Sequence, residues 1–231
     1  MEGTEVRKLA ALEDAHWWYR ERRHLLSRMV DGLTPGRALD IGAAGGGNTR
    51  VLQAAGWSVA ALEYGADGAE VAADRGLAVL RADATALPVE DSSLDLVVAF
   101  DVLEHILDDD AAVREVLRVL RPGGRFLIAV PADPRLWSEH DVAVDHVRRY
   151  TRTTLGDVLA RNGFEVTRMR SWNVLLRPVV AVRRKTSSGS DLDTVHPLVN
   201  LALRAVVGVE RVLPVKAMPG VTLLAEARPR R

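Results

Sequence analysis

Residues 37–50 read RALDIGAAGGGNTR, and this stretch decides the fold. A short apolar run carrying one aspartate, Asp40, gives way to a turn at 42–47 made only of glycine and alanine. A run of that length reads as a buried strand, and a turn nearly free of side chains lets the backbone bend sharply and approach a ligand. By spacing, Gly42, Ala44 and Gly47 form G-x-A-x-x-G, close to the glycine pattern that opens the first helix of a dinucleotide-binding sheet.

Outward from this stretch the same alternation continues. Strand-like runs follow at 58–63 (SVAALE), 77–83 (LAVLRAD), 94–100 (LDLVVAF), 124–131 (GRFLIAVP), 163–172 (GFEVTRMRSW) and 221–228 (VTLLAEAR), which makes seven. Helical patterns lie between them. The clearest is 108–124, where Val113, Val116, Leu117 and Leu120 share one face, aspartates crowd the first turn, and Pro-Gly-Gly is expected to end the helix. Strands alternating with helices predict an α/β fold around a parallel sheet, whose ligand crevice lies beyond the carboxyl ends of the strands.

Composition narrows the class further. The chain has 231 residues, 48% hydrophobic and 27% charged, which suits one globular domain with an appendage. There is no cysteine, so disulfides and thiolate metal sites are excluded. The N-terminus shows no basic segment followed by an apolar signal core, and no apolar run is long enough to span a bilayer, so a cytoplasmic location is expected. The net charge is zero, and arginine is not interleaved with stacking aromatics, so no nucleic-acid partner is expected. Residues 183–231 nevertheless carry nine basic and four acidic side chains.

Asp40 discriminates between ligands. A pyrophosphate is drawn to the amides and dipole of a helix N-terminus, and a carboxylate just before the turn repels it. A ligand with an ammonium group is attracted instead. S-adenosylmethionine has an α-ammonium, a sulfonium and no phosphate, so it suits Asp40 better than NAD does. Glu63, about 20 residues on, can hold ribose hydroxyls in either case.

With these residues in place, the chain resembles the class I S-adenosylmethionine-dependent methyltransferases, in particular the small-molecule group related to the ubiquinone-biosynthesis methyltransferases. The resemblance runs over about 37–170. LDIGAAGGG is similar to the family's first motif, with Ala44 where a second glycine is commoner. RADATALPVEDSSLDLVVAFDVLEHI and LRVLRPGGRFLIAVP are similar to its later motifs, in the right order. The resemblance implies a Rossmann-like three-layer sandwich: a seven-stranded, mostly parallel sheet with an antiparallel last strand. It implies S-adenosyl-L-methionine as cofactor, bound by Asp40, Gly42, Ala44, Gly46, Glu63, Tyr64, Asp83, Ala84, Phe100 and His105. The implied reaction is methyl transfer to an O, N or C nucleophile of a small molecule, in natural-product, sugar or lipid-linked biosynthesis. Alternatives are a catalytically inactive S-adenosylmethionine-binding regulatory protein and, less favoured, an NAD-dependent oxidoreductase.

The acceptor side is read from PADPRLWSEHDVAVDHVRRYT, 131–151, which follows the fifth strand. His146 and His140 are candidate bases, since imidazole titrates near neutrality. Asp141, Arg149 and Tyr150, with Trp17 and Tyr19 from the N-terminal helix, are candidate substrate contacts; packing against the sheet is the other role for the aromatics. HDxxxDH is no established ligand pattern, so no metal is expected. The chain divides into a helical cap (1–36), the cofactor-binding core (37–172), a helical insertion (173–220), and the last strand with its tail (221–231). In the insertion, KTSSGSDLDT (185–194) reads as a linker. After it, Asn200, Arg204, Gly208 and Arg211 form a narrow polar stripe on an otherwise apolar helix. Such a helix needs a cover: a substrate as its lid, a homodimer partner, or a membrane surface contacted peripherally through 183–213.

Overall fold

The computed structural model describes residues 7, 12–186 and 195–230. Seven strands form one sheet: β1 (Arg37–Ile41), β2 (Ser58–Glu63), β3 (Val79–Arg81), β4 (Leu94–Phe100), β5 (Leu120–Pro131), β6 (Phe164–Trp172) and β7 (Thr222–Pro229). Their order is β3-β2-β1-β4-β5-β7-β6, parallel through β5, with β7 antiparallel to both β5 and β6. The expected seven strands and the antiparallel last strand are all present. α1 (Trp17–Val30) precedes β1, and the first two crossovers carry α2 (Gly47–Ala54) and α3 (Ala66–Asp74). The later ones carry α4 (Asp109–Val119), α5 (Glu139–Ala143) and α6 (Arg152–Arg161). The insertion before β7 forms α7 (Arg177–Thr186) and α8 (Pro197–Val212). Positions 187–194, most of the expected linker, lie outside the described residues.

Alternation along the central strands builds a core on each face. Val97 and Ala99 of β4, with Phe126, Ile128 and Val130 of β5, meet Val113 and Val116 of α4 and Leu155 and Leu159 of α6. Leu96, Val98, Leu127 and Ala129 point the other way, to Leu26 and Met29 of α1, Leu52 of α2 and Val207 of α8. Helices on both faces make three layers, and strands buried on both sides explain their unbroken apolar runs.

Two local boundaries differ from the sequence pattern. α4 stops at Val119, and Leu120, Pro122 and both glycines belong to β5, because Leu120 pairs with Leu94 across the sheet instead of adding a turn. The second difference is in α8. Two residues of its polar stripe meet the protein: the Asn200 carboxamide accepts from Trp17 N (2.8 Å) and donates to Ala15 O (3.1 Å), and Arg211 pairs with Glu21 of α1, while Arg204 is exposed. Leu198, Leu201, Val209 and Val212 are exposed on the outside. No described helix is long and apolar enough to cross a membrane.

Candidate active site

The strands end together at the carboxyl edge of the sheet, and the site begins with the turn after β1. Gly42 and Gly46 have φ of 67° and 79°, and the intervening Ala44 has 46°. A Cβ on Gly42 would collide with Val102, and one on Gly46 with Leu77. These glycines therefore serve the turn's own packing as well as any close approach of a ligand. Glu63 at the end of β2 reaches back, its Oε1 accepting from Ala44 N at 2.6 Å. Burial holds its carboxyl above the ordinary range.

Asp40 sits inside β1 and is almost fully buried. Its Oδ2 accepts from Thr49 Oγ1 at 2.7 Å, while Oδ1 is buried with no partner. Burial, opposed by the Thr49 bond and reinforced by Glu63, pushes its pKa up to about 7.

The turn opens into a cavity of about 360 Å³, inside the ~300–1,000 Å³ range of small-molecule sites. Gly42, Ala44, Phe100, His105, His140, His146, Arg149, Trp17 and Tyr19 border it. Its roof comes from the insertion, through Leu176, Val180, Val199 and Leu203. Of the aromatic cluster, Trp18 packs on Trp172 (ring centroids 4.6 Å apart) and Trp17 and Tyr19 border the cavity. Asp40, Gly46, Glu63, Tyr64, Asp83 and Ala84 lie outside this cavity wall. Tyr64 and Asp83 are exposed, and Asp83 Oδ1 caps its own turn by accepting from Thr85 N (2.8 Å).

The far wall is assembled from two distant segments. The short 3₁₀ turn Leu103–His105 follows β4, and residues 146–150 lie against it. Val147 N donates to Glu104 O (2.8 Å), the Tyr150 hydroxyl donates to Asp109 Oδ2 (2.7 Å), and Arg148 binds Leu107 O (2.7 Å). This clamp places the His105 and His146 rings 4.8 Å apart and His140 6.3 Å from His146.

Two expected substrate contacts are corrected here. Tyr150 is buried with its hydroxyl spent on Asp109, and Asp141 is fully buried; neither borders the cavity. Asp141 accepts from Ser138 N at the start of α5 (3.0 Å), from His146 Nδ1 (2.8 Å) and from Arg149 Nε (2.7 Å), so it organises the wall. Burial forces a carboxylate to collect such partners.

The sequence reading passed over Arg22, Glu104 and Asn173. Arg22 is buried, pairs with Asp101 and lies 4.9 Å over the Phe100 ring. Glu104 is fully buried, and burial together with Asp101 holds its carboxyl well above the usual range. Its one sequence signal was an acid amid the apolar residues of LEHI. Arg22 Nη1, both Glu104 oxygens, Arg149 Nη2, Asn173 Oδ1 and His16 Nε2 are buried without partners, and every one of these residues borders the cavity. These atoms give the cavity wall polar groups that a ligand can satisfy. Asp101 and Asn173, like Ala44, also hold left-handed φ (58° and 61°), a strain typical of functional sites.

Residues 39–128 match the family model described as a methyltransferase domain. A probable S-adenosylmethionine-dependent methyltransferase of Mycolicibacterium smegmatis is 30% identical over 169 residues, 71% of this chain and 65% of that protein. The chain is thus similar to S-adenosylmethionine-dependent methyltransferases and carries a match to their methyltransferase domain over residues 39–128. Demethylmenaquinone methyltransferase of Clavibacter sepedonicus is 34% identical over 113 residues, 47% of this chain and 46% of that enzyme. An S-adenosylmethionine-dependent methyltransferase from Mesorhizobium loti shares the fold, with a TM-score of 0.66 at 18% identity, covering 94% of this chain and 99% of that one. The chain thus spans less than two thirds of the length of the first curated relatives.

The cofactor of this methyltransferase family is S-adenosylmethionine, and the residues present fit it. The unpartnered Asp40 oxygen behind the glycine turn offers an acceptor for an ammonium group.

Proposed function

We propose that the chain transfers a methyl group from S-adenosylmethionine to a nucleophilic O, N or C atom of a small molecule held in the cavity. The observation that carries this reading is Asp40, a buried carboxylate with one oxygen unpartnered directly behind the turn. In this reading Asp40 receives the ammonium, Glu63 the ribose hydroxyls, and Asp83 and Ala84 border the adenine. Gly42, Ala44, Gly46, Tyr64, Phe100 and His105 complete the surface on which the cofactor lies. When bound, it supplies an electrophilic methyl on a sulfonium.

The acceptor takes the histidine end of the cavity. His146 and His140 are the groups that can accept its proton, and the Asp141 contact keeps the proton of His146 on Nδ1, leaving Nε2 as the basic atom. Arg149, with a free Nη2, and Trp17 and Tyr19 hold the acceptor. The cap and the insertion exclude water from the reacting atoms and align them. Natural-product, sugar and lipid-linked acceptors all suit a cavity that is aromatic and aliphatic at one end and polar at the other. The outward apolar stripe of α8 fits a peripheral membrane contact or a second copy of the chain. Release of S-adenosylhomocysteine across a panel of hydroxyl, amine and carbon-acid acceptors tests the function. Turnover with at least one of them is expected; binding of the cofactor with no turnover on any would favour the regulatory alternative.

A further inference from the structure

His105 and His146 stand 41 positions apart in sequence, and with Glu104 they bring three metal-binding side chains together: one ligand atom from each lies within 4.8 Å of the others. The hydrogen bonds behind them fix which atoms face inward. A carbonyl only accepts, so the contact between His105 Nδ1 and Asp145 O (3.2 Å) keeps the proton on Nδ1 and the lone pair on Nε2. The Asp141 carboxylate does the same for His146, whose Nε2 lies 3.8 Å from Glu104 Oε1. A carboxylate or a carbonyl behind each imidazole is the usual support of a metal-ligating histidine, fixing its tautomer and its ring orientation.

Glu104 supplies the second observation. Its side chain is fully buried and neither oxygen has a hydrogen-bond partner. A buried carboxylate without a donor needs either a proton or a cation. The two imidazole Nε2 atoms beside it face it with their lone pairs. What satisfies all three atoms at once is a positive ion between them.

We propose that Glu104, His105 and His146 bind a divalent transition-metal cation on the wall of the cavity. Two imidazoles and one carboxylate suit Mn²⁺, Fe²⁺ or Zn²⁺ better than Mg²⁺ or Ca²⁺, which favour all-oxygen shells. Bonds of ~2.0–2.2 Å require the three side chains to draw together on loading, which His105, open on the cavity side, can do by rotating. Three protein ligands leave coordination positions free, and all three residues border the cavity. The acceptor that fits is therefore a hydroxylated molecule, its oxygen bound to the ion and its proton made easier to lose. This acceptor class rests on the methyl-transfer reading; the metal site does not. With His146 Nε2 on the metal, proton removal falls to His140.

The test uses the full chain without an affinity tag, stripped by chelation and titrated calorimetrically with Mn²⁺ and with Zn²⁺ alone. One equivalent of metal per chain is expected. Glu104→Gln, which keeps shape and removes charge, should weaken binding by at least about 100-fold, and His105→Asn, at an open position less critical to folding, by about 10-fold or more. His24→Asn, on α1, should bind like the parent. Absence of saturable binding, or equal binding in all the variants, overturns the site. S-adenosylhomocysteine titrated into the same samples reports separately. If that ligand fails to bind while the metal binds, the methyltransferase reading fails and the metal site stands.

Discussion

At the glycine turn the groups that meet a ligand hang from neighbouring strand ends, and the link from Glu63 to Ala44 spans 19 positions. At the histidine end, Glu104 and His105 meet His146 only because residues 146–150 are clamped onto the turn after β4, a link of 40 positions. The turn is local geometry, strand to glycine to helix, and it is written in residue type. The histidine wall is a tertiary product in which the same residue types, Asp141 and Tyr150 included, become supports instead of ligand contacts. A site made of both kinds separates functions cleanly: changes at the turn should alter cofactor affinity, and changes at the wall should alter turnover.

The largest expected effect tests that separation. Changing His140 or His146 to alanine should lower the maximal rate by about 100-fold or more while leaving S-adenosylhomocysteine affinity nearly unchanged. If only the acceptor's KM rises, the wall positions substrate and removes no proton. At the other end, Glu63→Ala should weaken S-adenosylhomocysteine binding by about 1.5–3 kcal/mol, the range for hydrogen bonds to a charged group, with the rate at saturation little affected. An equal loss of rate and affinity would erase the distinction between the ends.

A smaller effect follows from the raised pKa of Asp40, about 7. In the ligand-free chain a carboxyl raised in this way favours the folded state at low pH, and that contribution is lost as pH rises from about 4 through 7. An ammonium ligand needs the ionised form. Calorimetry should therefore show S-adenosylhomocysteine affinity rising about tenfold per pH unit below 7 and levelling off above it. Asp40→Asn should bind weakly and flatten both dependences; an unchanged slope in this variant would assign the titration elsewhere. Smallest of all is the response of the roof. Hydrogen exchange in α7 and α8 should slow when acceptor and S-adenosylhomocysteine are added together, because Val180, Val199 and Leu203 line the cavity. Full protection before any addition would make the insertion plain core.

The same contrast explains what could be read from sequence. Seven strands, their order of appearance and the turn at 42–47 follow from period and composition. α4 ends at Val119, short of the Pro122 that the pattern points to, because Leu120 satisfies the helical face and the β4 pairing equally well in sequence, and only the sheet decides. In sequence Asp141 and Tyr150 read as ligand contacts, because polarity in a loop does not reveal burial. In α8 the narrow polar stripe was visible, and the partners that turn it inward were not: Asn200 and Arg211 answer to α1, about 185 positions away. Glu104 escaped because one buried acid beside a histidine has no periodic signature.

The central claim is that the turn after β1 is built for a cation-bearing nucleoside and not for a pyrophosphate. Titration of the chain with S-adenosylhomocysteine and with NAD, under one set of conditions at pH 7.5, tests it most directly. The account predicts micromolar binding of S-adenosylhomocysteine and NAD weaker by at least about 100-fold, or ~2.7 kcal/mol. NAD binding as tightly as S-adenosylhomocysteine would contradict it.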